Sequence, residues 1–168
     1  MDITLRLLQA NDAEAFRALR LHSLHTDPLS FVPYPDEEAS LSVAQFAQRL
    51  TEPPCVGMIG AFCDGQLVGM VGLLQHARRK QQHKLTIVSM YVAESARGSG
   101  TGRKLMQAAI AHARQQPGVS RLLLSVHGTN VPAIRLYRSL GFVPYGVEPE
   151  AMVVHGQPQD EILMGLAL

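Results

Sequence analysis

One stretch constrains this chain more than any other. An apolar, β-branched run over residues 85–92 enters a turn carrying Gly98, Gly100 and Gly102, and the turn opens a helix over residues 102–115. In that helix Leu105, Met106, Ala109, Ile110 and Ala113 recur at helical spacing. A strand that hands its chain to a helix through glycines places the turn at one end of a sheet. Without Cβ atoms the backbone N–H groups can approach a ligand closely. The first N–H groups of the helix lack intrahelical partners and carry partial positive charge. The stretch therefore predicts a phosphate cradle over Gly98, Ser99, Gly100, Thr101, Gly102 and Arg103, with Arg97 and Arg103 adding charge at its rim.

Around it the chain alternates strands and helices. Residues 3–7 read as a strand, and Asn11 or Asp12 caps a helix to about His22. Pro28, Pro33 and Pro35 make residues 26–35 irregular, and a helix fits residues 42–50. Residues 56–63 and 67–74 form a hairpin about Asp64-Gly65, a dipeptide suited to a turn with positive φ. The polar segment 76–84, with Arg78, Arg79 and Lys80, reads as a solvated connection to the strand at 85–92. The apolar run 122–126 is a covered central strand, residues 131–140 are a helix stopped by Gly141, and residues 142–145, 151–155 and 161–168 are late strands. The order predicts one domain over residues 1–168, a mixed α/β sheet covered by helices.

Composition narrows the function. The 168 residues are 46% hydrophobic and 17% charged with a net charge of +1, which excludes disorder. Near-neutrality also leaves no global field for nucleic acid or an anionic membrane, so any anion must be held locally. Tryptophan is absent and aromatics are 5%, a poor basis for stacking on single-stranded nucleic acid. No apolar run approaches the roughly 20 residues of a membrane span, and no secretory signal is visible. Cys55 and Cys63 form no metal pattern and read as reduced core thiols, so the expected setting is cytoplasmic, with no metal. The glycine turn fits neither common nucleotide signature. A Walker loop counted from Gly98 would need glycine where Arg103 stands and a hydroxyl where Leu105 stands, and a dinucleotide fingerprint also fails at Arg103.

Arg97-x-x-Gly100-x-Gly102 resembles the acetyl-CoA loop of the GNAT acetyltransferase superfamily, and Met90-Tyr91-Val92 precedes it where that family has a bulged fourth strand. Further on, Asn130-x-x-Ala133-x-x-x-Tyr137-x-x-x-Gly141-Phe142 is similar to the family's later motif. The element order agrees, so the resemblance covers essentially the whole chain. It implies the GNAT acyl-CoA N-acyltransferase fold: a mixed, mostly antiparallel sheet with splayed central parallel strands and helices on both faces.

The resemblance further implies acetyl-CoA as cofactor. Its pyrophosphate would lie on the N–H groups of residues 98–103, and its pantetheine arm would run between the strands at 85–92 and 122–126. An N–H near Met90 or Tyr91, just before Val92, would polarise the acetyl carbonyl. Small Ala133 would let the cofactor pass, and Asn130 would cap its helix or bond the arm. Tyr137, protonated at neutral pH, would be the general acid toward the departing thiolate. A small primary amine is the expected acceptor, with a protein or peptide amine as an alternative.

The general base is less defined, because no carboxylate lies between Gln81 and Ala93. His83 is the leading candidate by its titration range, with His127, Glu37, Glu38 or a water chain as others. The family's acceptor segment corresponds to residues 26–40, where Phe31, Tyr34, Asp36, Glu37 and Glu38 offer apolar surface and negative charge to a cationic amine. Tyr34, Glu37 and Glu38 are the acceptor-site candidates. A homodimer is compatible with the family, and a non-catalytic acyl-CoA-binding module on the same fold is the rival reading.

Overall fold

The computed structural model describes residues 2–168. The strands are β1 (Thr4–Leu7), β2 (Cys55–Cys63), β3 (Gln66–Gln75), β4 (Lys84–Val92), β5 (Arg121–His127), β6 (Val143–Val154) and β7 (Gln157–Ala167). The helices are α1 (Ala13–Thr26), α2 (Pro35–Ala39), α3 (Val43–Thr51), α4 (Thr101–Arg114) and α5 (Val131–Ser139). All seven strands form one sheet in the order β1-β2-β3-β4-β5-β7-β6. Every neighbouring pair is antiparallel except β4–β5, which is parallel. This is the mixed, mostly antiparallel α/β architecture that the order of elements predicts.

Side-chain alternation along the strands builds two cores. Leu85 and Ile87 of β4 and Leu122, Leu124 and Val126 of β5 face α4, whose Leu105, Met106, Ala109 and Ala113 are fully buried. Helix α5 adds Tyr137 to the same face. On the other face Phe16 and Leu19 of α1 and Phe46 and Leu50 of α3 pack on Met58, Met70 and Tyr91. The rings of Phe16 and Phe46 meet edge to face at 5.5 Å. The Asp64-Gly65 turn has positive φ at both residues, as the β2–β3 hairpin requires.

Three readings need correction. The late strands number two: residues 143–154 run as one strand, interrupted by an irregularity between Glu148 and Met152, where Glu150 has φ 51°. The cysteines are free but only half-buried, at opposite ends of β2. The acids after Pro35 form a short helix of their own, α2, and Glu38 points inward. The Arg20 guanidinium donates to both Glu38 oxygens at 3.0 and 3.1 Å, and Arg49 approaches at 3.3 Å. One carboxylate thus ties α1, α2 and α3 together.

Burial pushes the Glu38 carboxyl up, but the hydrogen bonds and charges of Arg20 and Arg49 outweigh it and hold the carboxyl below its usual range. A depressed carboxyl contributes stability above its unfolded value, about pH 4.3, and loses it as pH falls through the folded value. Glu38→Gln strands a buried guanidinium and is expected to cost about 3 kcal/mol or more in urea denaturation at pH 7. The same variant is expected to show a shallower loss of stability below pH 4 than wild type. Equal acid limbs in the two proteins would contradict this account.

Candidate active site

The site begins where the sheet divides. Strands β4 and β5 pair only at Lys84–Arg121, Leu85–Leu122 and Thr86–Leu123. Beyond them β4 stays on β3 to Val92, and β5 stays on β7 to His127. Each strand keeps one neighbour and loses the other. A bulge helps to open the gap: between Gly72–Val88 and Met70–Tyr91 two residues of β4, Ser89 and Met90, oppose the single Val71, and Ser89 takes φ 54°. The result is a cleft of about 780 Å³, lined by Thr86 to Val92 on one side and Leu124 to His127 on the other. Strand-edge N–H and C=O groups in such a gap can be satisfied by an extended ligand lying between the strands like an added strand.

At the end of β4 the glycine turn closes the cleft. Gly98 and Gly100 have φ of 76° and 81°, a region closed to most side chains, and Gly100 is the N-cap of α4. No side chain among the described residues caps this helix, so its leading N–H groups remain for a ligand. Ser99 stiffens the turn by donating to the Ala96 carbonyl and sharing a 2.7 Å contact with the Thr101 hydroxyl. Gly102 faces Met90 and Leu136, a bare backbone segment on the cleft wall. The two arginines serve the framework as well as the charge. Arg97 donates to the Val92 carbonyl at 2.9 Å and to Asp27 at 2.7 Å, while Arg103 reaches Ser139 of α5.

Helix α5 supplies the opposite wall. The Asn130 side chain accepts from Ala133 N at 3.2 Å and caps the helix, and Pro132 sits in its first turn. Asn130, Ala133 and Tyr137 all line the cleft. Tyr137 is buried beside Phe142, with no hydrogen-bond partner for its hydroxyl among the described residues. Burial pushes its phenol up to about 12. The hydroxyl thus stays protonated in an apolar wall on the lining of the cleft.

Other expected residues lie elsewhere. His83 precedes β4, exposed, about 10 Å of strand from Thr86, and does not line the cleft. Tyr34 is exposed and reaches Val153 O in the β6–β7 hairpin. Glu37 accepts from Tyr34 N and caps α2, and Glu38 is held by Arg20 and Arg49. The same loop instead contributes Ser30, Phe31, Val32 and Pro33 to the cleft. A proline-rich segment reveals that a loop is present, but not which of its side chains turns inward.

His127 does line the cleft, yet both ring nitrogens are engaged. Thr129 N–H donates to Nδ1 at 3.2 Å, and Nε2 meets Gln159 Oε1 at 2.7 Å. Since a backbone N–H can only donate, Nδ1 accepts and Nε2–H is the donor to Gln159. Arg20, Asp27 and Glu161 are charged cleft residues that the sequence does not single out. Glu161 reaches the site through the pairing of β7 with β5 opposite His127, which no local pattern discloses.

A split parallel pair, an uncapped helix start and an unpartnered phenol form a site for an extended molecule with an anionic group at one end. Similarity to known proteins agrees. Residues 18–142 match the model of the Acetyltransferase (GNAT) family. The phosphinothricin N-acetyltransferase of Alcaligenes faecalis is 29% identical over 164 residues, covering 96% of this chain and 80% of that protein. The streptothricin acetyltransferase of Streptomyces lavendulae is 39% identical over 85 residues, and the match spans 51% of this chain and 43% of that protein. Among solved structures, yncA from Salmonella typhimurium with its cofactor acetyl-CoA superposes with a TM-score of 0.81 at 23% identity, covering 100% of this chain and 95% of that one. On the strength of this family match, whose range spans the glycine turn, the split sheet and α5, the chain belongs to the GNAT acetyltransferase family.

Proposed function

We propose that the protein is an acetyl-CoA-dependent N-acetyltransferase acting on a small primary amine, with Tyr137 as general acid. The observation that carries this reading is the cleft between β4 and β5, which has free helix N–H groups at one end and the unpartnered Tyr137 hydroxyl in its wall. Acetyl-CoA supplies an activated acetyl thioester to such a site. The N–H groups of residues 98–103 hold its pyrophosphate, and the separated edges of β4 and β5 hold its pantetheine arm. The bulged backbone at Ser89 and Met90 offers a donor to the acetyl oxygen. Tyr137 keeps its proton through the neutral range and gives it to the leaving sulfur. Similarity to a phosphinothricin N-acetyltransferase and a streptothricin acetyltransferase supports a small amine as acceptor.

The setting is cytoplasmic in this reading. No helix among the described residues is long and apolar enough to cross a membrane, and the two cysteines are unpaired. A homodimer is compatible with the edge strand β6, on which the apolar Val143, Tyr145 and Val147 are exposed.

Acetyl-CoA is expected to raise the melting temperature, by about 2.7 kcal/mol of added stability at a hundredfold excess over Kd. ATP and NAD are expected to leave it unchanged, and no shift at millimolar acetyl-CoA would overturn the cofactor. A thiol-release assay over amines that include phosphinothricin, streptothricin and spermidine tests the acceptor. Binding without thiol release from any amine would favour the non-catalytic module.

Tyr137→Phe is expected to lower kcat about 100-fold while leaving the acetyl-CoA melting shift intact. The sign of the pH effect follows from burial. A phenol raised from about 10 to about 12 stays protonated as pH rises, so Tyr137 contributes no alkaline loss of activity below about pH 10. An alkaline limb near pH 8 that vanishes in Tyr137→Phe would contradict this.

A further inference from the structure

We propose that Glu161 is the residue that binds the acceptor ammonium and takes its proton. This rests on the acetyltransferase reading and supplies the base which that reading lacks. Two carboxylates line the cleft among the described residues, Asp27 and Glu161. Asp27 is ion-paired with Arg97 at 2.7 Å. Glu161 is half-buried and accepts no hydrogen bond and forms no ion pair within the described residues, so its oxygens remain for a ligand. The histidine beside it, His127, has both nitrogens engaged.

Placement adds the second line of argument. Leu122, Leu124 and Val126 of β5 point toward α4 and α5, so Ser125 and His127 point to the opposite face. Glu161 pairs with His127 across β5–β7 and shares that face, where Arg20 of α1 and Phe31 also border the cleft. Tyr137 stands on the α5 side. The acid and the proposed base therefore flank the split sheet from opposite sides, as an attacking amine and a departing sulfur require. Glu148 of β6 pairs with Glu161 on the same face, and a second carboxylate there favours a cationic acceptor over a neutral one. The titratable neighbours of Glu161 on the adjoining strands are His127 and Glu148, with Asp160 beside it on β7 held by Glu150 N, and the cleft as a whole adds Arg20, the Asp27–Arg97 pair, Arg103, Tyr91 and Tyr137.

The proton and electron balance is complete. The ammonium gives one proton to Glu161, which passes it to solvent. The freed nitrogen pair forms the N–C bond. The C–S bond breaks with its pair on sulfur, and sulfur takes the Tyr137 proton. The second proton shed by nitrogen restores Tyr137 through solvent, so one proton is released overall.

The test compares wild type, Glu161→Gln and Glu161→Asp, using the best acceptor from the amine panel. Glu161→Gln is expected to lose about 100-fold in kcat at pH 7 and to recover roughly tenfold per pH unit as the amine deprotonates unaided. Glu161→Asp is expected to keep part of the rate with the wild-type pH profile. A readout independent of turnover is the melting shift that the same amine gives in the presence of coenzyme A. It should shrink in Glu161→Gln, while the shift from coenzyme A alone is unchanged. Glu161→Gln with a rate within threefold of wild type, or with a loss equal at every pH, would overturn the assignment. A wild type that binds acetyl-CoA but acetylates no amine would overturn the function itself, and the role of Glu161 with it.

Discussion

Three residue pairs, Lys84–Arg121, Leu85–Leu122 and Thr86–Leu123, with the His83 carbonyl just before them accepting from Ser120 N and Arg121 N, join the two halves of the sheet at its centre. Everything about the site depends on the pairing stopping there. A parallel pair that continued would fill its own hydrogen bonds and leave no room. Here β4 remains bound to β3 and β5 to β7, so neither strand loses its place when they part. The bulge at Ser89 and Met90 adds the local twist that turns β4 away. Backbone polar groups at the bare edges are costly to bury without partners, so the gap favours a polar, extended occupant over apolar filling.

The divided sheet also separates two environments. On the α4–α5 face the wall is apolar, and Tyr137 lies beside Phe142 within it. The same burial that removes water from the phenol holds its proton in place. On the α1 face the wall is polar: His127, Glu161, Arg20 and the Arg97–Asp27 pair stand around the opening. One gap therefore meets a buried, protonated phenol on one side and charged side chains on the other. The Arg20–Glu38–Arg49 cluster supports this side, because it fixes α2 against α1 and so sets where Phe31 to Pro33 fall along the cleft.

Local chemistry was legible in the sequence, and cross-strand geometry was not. Gly98 and Gly100 adopt left-handed φ, and Asn130 caps α5, because these residue types are chosen by backbone conformation within a few positions. The Asp64-Gly65 hairpin was legible for the same reason. Glu38 misleads because its partner Arg20 lies on another helix, and an acid triplet on a short helix looks solvent-facing until that helix is packed. His83 misleads because a strand's sequence does not say at which end its neighbour departs. The sequence of residues 142–155 reads as two strands because Pro144, Gly146 and Pro149 interrupt the pattern, yet pairing with β7 carries the strand through. Glu161 went unread because only the register of β7 on β5 sets it beside His127.

The same distinction explains why a chain of net charge +1 can hold a polyanion. Arg97 and Arg103 flank the glycine turn directly, yet Arg97 is bound to Asp27 and to a carbonyl, and Arg103 is bound to a serine. Their charge contributes to the rim, but the donors that face the cleft at α4 are main-chain N–H groups. Such groups carry no formal charge and appear in no tally of side chains. A helix N-terminus held open by Gly98 and Gly100 concentrates their dipoles at one point, where they act at hydrogen-bond distance with little screening. Near-neutral composition is therefore consistent with the proposed local anion site, in which Gly98 and Gly100 give the turn its left-handed backbone.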